Sequence, residues 1–383
     1  MISTIDFRAL GGTKWTRYPQ EVLPLWLADM DFPSPAEIGQ AIAERAAQNV
    51  LTYKFDDAET RAVIVERMGR LYDWHIAPEH IVFIPGLVSA LFAVVRVFAG
   101  DEGGVLTQPP IYPPFLGAAA QARSVQASLV PVRDGSRLHY EIDFDALRLA
   151  ITPETRVFLL CNPHNPVGRS YHRDELEQLA EIAVAHDLTI VSDEIHCDLL
   201  LDPIHHTPIA TLAPEIAQRT VTLMSPSKTY NIAGMMFGFA IIPDETLRKT
   251  FVQKTMGLMP GPAMLGFTAT TAAYRHGDTW LSETRDYLRA NRDWLVRFVE
   301  EELPGVAVTV PEATYLAWLD FSALNLPDNN PYRFLLENAH VGLQAGTDFG
   351  KAGAGFVRLN FATARDTLAE ALARIKDALA GYL

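Results

Sequence analysis

The chain has 383 residues, of which 49% are hydrophobic and 20% charged, and its formal net charge is −14. That length exceeds what one hydrophobic core usually serves, so two domains are expected in a globular protein of ordinary composition. The acidity, with no block of Lys or Arg, argues against a nucleic-acid partner; two cysteines, Cys161 and Cys197, frame no disulfide scaffold; and no apolar run approaches the ~20 residues that span a bilayer.

The first residues, Met1-Ile2-Ser3-Thr4-Ile5-Asp6, include an acid and no long apolar run. No signal peptide or membrane anchor is expected, and the cytoplasm is the expected location. From about residue 80, β-rich runs alternate with helical patterns. Residues 81–84, 105–107, 125–132, 157–160, 189–191, 221–224 and 237–242 read as strands. Most are continuous apolar runs, as in strands buried on both faces of a largely parallel sheet. Between them, 174–186 repeats Leu176, Leu179, Ala180 and Ala183 at helical spacing, with Asp174 and Glu177 as a capping pair. After Pro260 the texture changes. Helices are expected over 261–275 and 278–302, then strands over 306–310, 315–321 and 356–361. The last helix is expected to start at Thr363 with Asp366 as its box partner, burying Leu368, Leu372, Ile375 and Leu379.

In open α/β sheets, ligands bind beyond the carboxyl ends of the strands, and polar residues cluster there in this chain. Pro85-Gly86-Leu87-Val88-Ser89 follows the first strand and opens a helix, either a plain turn or a phosphate cradle made by free N–H groups at Gly86, Leu87 and Val88. Asn162-Pro163-His164-Asn165-Pro166-Val167-Gly168 follows 157–160 and could be only a rigid turn. Asp193 and Glu194 end the next strand, where acids are costly unless paired or exposed at a site; Asp193 could also cap a helix. Ser225-Pro226-Ser227-Lys228 ends the strand after that. Alone, Lys228 would be a solvated surface charge. An asparagine, an acid and a lysine at the ends of three successive strands are instead what pyridoxal 5′-phosphate requires. Lys228 would hold its aldehyde as an imine, Asp193 would keep its ring nitrogen protonated, and Asn165 would donate to its ring oxygen. Ser225, Ser227 and the Gly86 turn would donate to its phosphate.

With Asn-Pro-x-Asn-Pro-x-Gly, Asp-Glu-Ile and Ser-x-Ser-Lys, the chain resembles the fold-type I, class I/II aminotransferase superfamily over nearly its whole length. The resemblance implies an α/β fold: a large domain with a mostly parallel seven-stranded sheet flanked by helices (49–285), and a smaller α+β domain (1–48 and 286–383). It further implies that Tyr112 stacks on the cofactor ring and that Arg358, in Val357-Arg358-Leu359-Asn360, clamps the substrate α-carboxylate. Tyr53, unless it is merely a core or surface aromatic, would reach the phosphate of the other subunit of a homodimer.

Several stretches resemble the MalY/PatB-type C–S β-lyase branch: Lys14-Trp15, Leu27-Ala28-Asp29-Met30-Asp31-Phe32, His164 within its Asn-Pro loop, and Asp193-Glu194-Ile195-His196-Cys197-Asp198-Leu199. Where common aminotransferases place a tyrosine on the ring oxygen, this chain has His196. Where they place an arginine on the phosphate, it has Met236. This branch implies cleavage of L-cystathionine or a related L-cysteine S-conjugate to thiol, pyruvate and ammonia. The alternative is amino transfer between an L-amino acid and a 2-oxo acid, which shares the steps up to loss of the Cα proton. A metal site at His196, Asp198, His205 and His206 is the rival chemistry. The adjacent His205 and His206 read more simply as a solvated loop, so no metal is expected. A non-catalytic regulator on this fold would need an added DNA-binding segment, and none is expected ahead of Lys14-Trp15.

Overall fold

A computed structural model describes residues 5–382; the part of the N-terminal reading that concerns residues 1–4 lies outside them. In chain order, β1 (Leu23–Pro24) is followed by β2 (Ile81–Ile84), β3 (Gly104–Thr107) and β4 (Arg123–Gln126). A hairpin, β5 (Val130–Asp134) and β6 (Arg137–Glu141), comes next, then β7 (Thr155–Cys161), β8 (Thr189–Asp193), β9 (Thr220–Met224) and β10 (Gly238–Ile241). β11 (Ala307–Thr309), β12 (Leu316–Asp320), β13 (Val341–Gly342), β14 (Gln344–Ala345) and β15 (Phe356–Asn360) complete the strands.

The large sheet has seven strands in the order β2-β10-β9-β8-β7-β3-β4. All pairings are parallel except those of β10, which opposes both β9 and β2. Six strands therefore end along one edge, and β10 begins there. Alternate residues of β7 face two separate cores, as the two-residue period of a strand requires. Phe158 and Leu160 join Leu176, Leu179 and Ala183 of the helix Arg173–Ala185. Val157 and Leu159 join Ala90, Leu91 and Val94 of the helix Leu87–Phe98. Apolar residues without alternation are what a strand sandwiched between helices needs.

The second sheet runs β14-β15-β12-β11-β6-β5, and β1 pairs separately with β13. Here the structure corrects the sequence reading. The run 125–132 is not one strand: residues 125–126 lie in β4 at the edge of the large sheet, and residues 130–132 enter β5. Asp134 and Arg137 close the hairpin around Gly135, whose φ of 59° suits glycine. β6 then pairs with β11 and buries Leu138 and Tyr140. Residues from the middle of the chain thus complete the second sheet. The expected division at 285/286 falls inside the continuous helix Asp278–Glu302.

Two helix starts also differ. The helix expected from Asp174 is Arg173–Ala185, and it is Glu175 that accepts the His172 N–H, at 2.8 Å, while also pairing with Arg169. The last helix is Arg365–Leu379; Thr363 is buried, and its carbonyl accepts from Asn291 Nδ2 at 2.9 Å. The Arg365 N–H goes to the Tyr287 hydroxyl at 2.8 Å, so tertiary contacts replace the local capping box. Leu368, Leu372, Ile375 and Leu379 are buried as expected.

Candidate active site

The edge where the large-sheet strands end borders a cavity of about 420 Å³. Gly86, Leu87, Val88, Tyr112, Asn165, Asp193, His196, Ser225, Ser227, Lys228 and Arg358 all line it. Of the candidate residues, Tyr53 is not there. It is 91% exposed and lies flat against Phe55, with ring centroids 5.7 Å apart.

Each wall has a local cause. Gly86 has φ 150°, a value that L side chains rarely adopt, although a Cβ there would meet nothing within 4 Å. The turn lets the helix Leu87–Phe98 point its first N–H groups, which have no intrahelical acceptor, at the cavity. Ser225 caps the short helix Pro226–Thr229: its Oγ accepts from Ser227 N at 3.0 Å and donates to the Phe237 carbonyl at 2.7 Å. That hydroxyl proton is thereby committed to the protein, and Ser227 is left as the serine whose hydroxyl has no such bond. Met236 lies two residues ahead of β10, 59% exposed. Lys228 and Arg358 are the only Lys or Arg side chains lining the cavity among the described residues.

The charges inside are unusual. Asp193 is buried and accepts a 3.1 Å bond from Ile195 N. Burial pushes its carboxyl up to about 7, with the Glu194 charge adding to the rise and Lys228 opposing it. Arg358 is 2% exposed and holds neutral partners: Nη1 donates to Asn165 Oδ1 at 2.9 Å and Nη2 to the Trp26 carbonyl at 3.0 Å. Its Nε has no partner, and burial lowers its pKa to about 10. Lys228 Nζ donates to the Ala28 carbonyl at 2.7 Å and lies 3.7 Å from Asp29 Oδ1. Burial, with Arg358 adding, depresses its pKa against the pull of Asp29 and Asp193. His196 is buried with Nδ1 unpartnered and its pKa lowered by burial to about 3, so it is neutral.

Pyridoxal 5′-phosphate fits these residues. A buried carboxylate short of a cation suits a protonated ring nitrogen, and an unpartnered imidazole nitrogen suits a polar ring substituent. The free N–H groups of the helix suit a phosphate, and a buried guanidinium without a carboxylate suits the carboxylate of an amino acid.

Several contributors escaped the sequence reading of the site. Ala28 and Asp29 belong to a stretch singled out as a motif without a role, and Trp26 lies one residue ahead of it. The structure gives the role: Asn231 Nδ2 donates to the Met30 and Phe32 carbonyls at 2.9 and 2.8 Å, and Asn360 Nδ2 to those of Leu27 and Asp29 at 2.6 and 2.7 Å. Asp31 accepts from Lys14 Nζ at 2.9 Å and from Trp15 Nε1 at 2.7 Å, both in a second quoted motif. These motifs therefore clamp one strap across the cavity. The signal for it was the asparagine three residues after Lys228 and two after Arg358. His164 is buried between the Pro110 carbonyl (2.8 Å) and the Tyr171 hydroxyl (3.0 Å) and ties the Asn-Pro loop to the turn carrying Tyr112. His206 is buried too, not solvated: its Nε2 lies 2.7 Å from Glu194 Oε2, behind Asp193. Asp198 faces Arg67 at 3.0 Å.

The model of the family "Aminotransferase class I and II" matches residues 21–375. The cystathionine beta-lyase PatB of Bacillus subtilis is 39% identical over 94% of this chain and 93% of its own length. A crystal structure of OvoB superposes with TM-score 0.93 at 40% identity, covering 99% of this chain and 98% of that one. A C–S lyase from Staphylococcus hominis with bound PLP superposes with TM-score 0.91 at 33% identity, covering 98% and 97%.

Proposed function

The chain belongs to the class I and II aminotransferase family, and from that premise we propose that it is a pyridoxal-phosphate-dependent carbon–sulfur β-lyase acting on L-cystathionine or a related L-cysteine S-conjugate. The observation that carries this reading is the convergence of Lys228, Asp193, Asn165 and Arg358 on one cavity beneath a strap built from the branch motifs. The relatives named as cystathionine beta-lyase and C–S lyase support the same branch.

Pyridoxal 5′-phosphate, when bound, supplies an aldehyde that takes up amines and a ring that withdraws electrons from Cα. Lys228 would hold it through Nζ. Asp193 would stabilise positive charge on the ring nitrogen, Asn165 and His196 would serve its ring oxygen, and Ser227 with the N–H groups of Leu87 and Val88 would hold its phosphate. Arg358 binds the α-carboxylate of the substrate and so presents the Cα–H bond to Lys228. Lys228, once its amine is free, would take the Cα proton so that the thiolate can leave from Cβ, with pyruvate and ammonia as the other products after water is added.

The test is L-cystathionine without any added 2-oxo acid. A lyase accumulates pyruvate far beyond one equivalent per active site. A stalled single turnover that resumes with a 2-oxo acid decides for amino transfer instead.

A homodimer belongs to the same proposal. Tyr53 stands in an exposed apolar run with Val50, Leu51 and Phe55, and it would serve the site of a second copy rather than its own. Light scattering of the purified protein tests the dimer. We also propose the cytoplasm as its location, in keeping with two buried free thiols, Cys161 and Cys197. No helix of the described residues is long and apolar enough to cross a membrane.

A further inference from the structure

We infer that Asp29 is a positioning residue for Lys228: its carboxylate is the counter-charge of the Lys228 ammonium and sets how readily that amine gains and gives up a proton. The inference rests on Lys228 as the cofactor-binding lysine and holds whether elimination or amino transfer follows.

The geometry begins with the strap. Asn360 and Lys14 grip the Asp29 carbonyl at 2.7 and 3.1 Å, so the backbone is fixed without the help of the carboxylate. The side chain is free to answer Lys228 alone. Its Oδ1 lies 3.7 Å from Nζ, the only carboxylate within 4 Å of that amine among the described residues. The Ala28 carbonyl takes the amine at 2.7 Å and also accepts from the Tyr315 hydroxyl at 2.8 Å. A carbonyl shared with a phenol offers an ammonium a dipole but no compensating charge.

The other groups facing Lys228 cannot do this work. From the end of β8, Asp193 is committed to the cofactor ring, and His196 is neutral. From β15, Arg358 repels an ammonium. Tyr112 and Tyr315 are held protonated by burial. Burial and Arg358 together therefore favour the neutral amine, and Asp29 opposes them. When Lys228 takes a proton from Cα, the C–H bond breaks, an N–H bond forms on Nζ, and the electron pair stays with the substrate. The ammonium so made sits beside Asp29, which makes proton removal more favourable. The Asp29 side chain is 39% exposed, so water can reach the same spot and restore the protonation state between turnovers.

The test reads protonation directly rather than turnover. Protein stripped of cofactor is mixed with pyridoxal 5′-phosphate over roughly pH 6 to 10, and covalent capture on Lys228 is followed by visible absorbance, with borohydride fixation and peptide mapping. Asp29→Asn should move the midpoint of the rate–pH profile down by about one pH unit, since the amine is free at lower pH without its counter-charge. Asp29→Glu should keep the midpoint near that of the wild type. With substrate, Asp29→Asn should move the acid limb of the kcat profile in the same direction while lowering its plateau several-fold. Asp29→Ser, which also removes the charge, serves if the asparagine variant does not fold. An unshifted or raised midpoint in folded, charge-free variants overturns the inference. Capture at another lysine in the wild type overturns it together with the cofactor assignment. A shifted midpoint in an enzyme that transaminates leaves Asp29 in place and removes the lyase.

Discussion

Arg358 Nη1 donates to Asn165 Oδ1 at 2.9 Å, tying β15 of the second sheet to the loop that follows β7 of the first. A guanidinium has donors only, so the amide oxygen of Asn165 must face it and the amide NH2 faces away. The bond thus orients Asn165 as a donor and leaves the remaining Arg358 donors for a carboxylate. Arg358→Lys keeps the charge but loses the planar fork. It should raise KM for amino acids about tenfold or more while weakening the grip on Asn165. Steady-state kinetics check this, with an amine lacking the carboxylate as control. Equal reactivity of that amine and the amino acid in the wild type would remove the role.

Lys228 is expected to carry the cofactor covalently. Its Nζ is inside the cavity and its pKa is depressed, which keeps a larger share of free amine near neutrality than an exposed lysine has. Borohydride treatment of the holoenzyme followed by peptide mapping should label Lys228, and Lys228→Ala should abolish turnover. Label on a different lysine refutes the assignment.

How much of this was legible in the sequence follows from which interactions are local. β7, β8 and β9 are nearly continuous apolar runs with Asn165, Asp193 and Lys228 at or just past their ends, so strand, edge and chemistry could be read together. The hairpin β5–β6 could not, because its partner β11 lies more than 150 residues away and nothing between 123 and 134 marks the change of sheet. The strap over the cavity was visible as a motif but not as a contact, since Asn231 and Asn360 reach it from 199 or more residues away. His206 was misread because a pair of adjacent histidines looks solvated until Glu194 is seen beside one of them.

His164 is expected to matter for order rather than for proton transfer. Burial lowers its pKa to about 4, so it stays neutral, with Nδ1 accepting from the Tyr171 hydroxyl and Nε2–H donating to the Pro110 carbonyl. His164→Phe strands both partners and should cost about 2 kcal/mol of stability. Tyr171→Phe, which strands Nδ1 alone, should cost less. Since Tyr112 follows Pro110 by two residues, the histidine variant should also bind pyridoxal 5′-phosphate more weakly. Thermal melts and cofactor titration check both effects; a His164→Phe protein as stable as the wild type would show that the bridge carries no load.

Asp193 gives the protein a pH dependence of definite sign. Its carboxyl stands at about 7 in the folded chain against an ordinary value of 3.8, chiefly through burial. A group raised in the folded state contributes stability in full below its unfolded pKa and loses that contribution as pH rises through the folded value. Protein stripped of cofactor should therefore lose stability between about pH 4 and pH 7 on account of this group, by at most ~4 kcal/mol for three pKa units. A protonated ring nitrogen beside the carboxylate relieves that loss, so the rise in Tm on adding pyridoxal 5′-phosphate should be larger near pH 8 than near pH 5. Asp193→Asn has nothing to ionise there. Its stripped form should show a flatter Tm–pH profile, and its holoenzyme should lose kcat by about a hundredfold or more with little change in KM, because the charge is needed chiefly as Cα gives up its proton. Parallel melts of wild type and variant, stripped and loaded, measure the stability changes, and steady-state kinetics of the two holoenzymes measure kcat and KM. If wild type and Asp193→Asn melt in parallel across the pH range, the carboxyl is not held neutral by burial. A near-normal kcat in the variant would move the ring-nitrogen partner elsewhere.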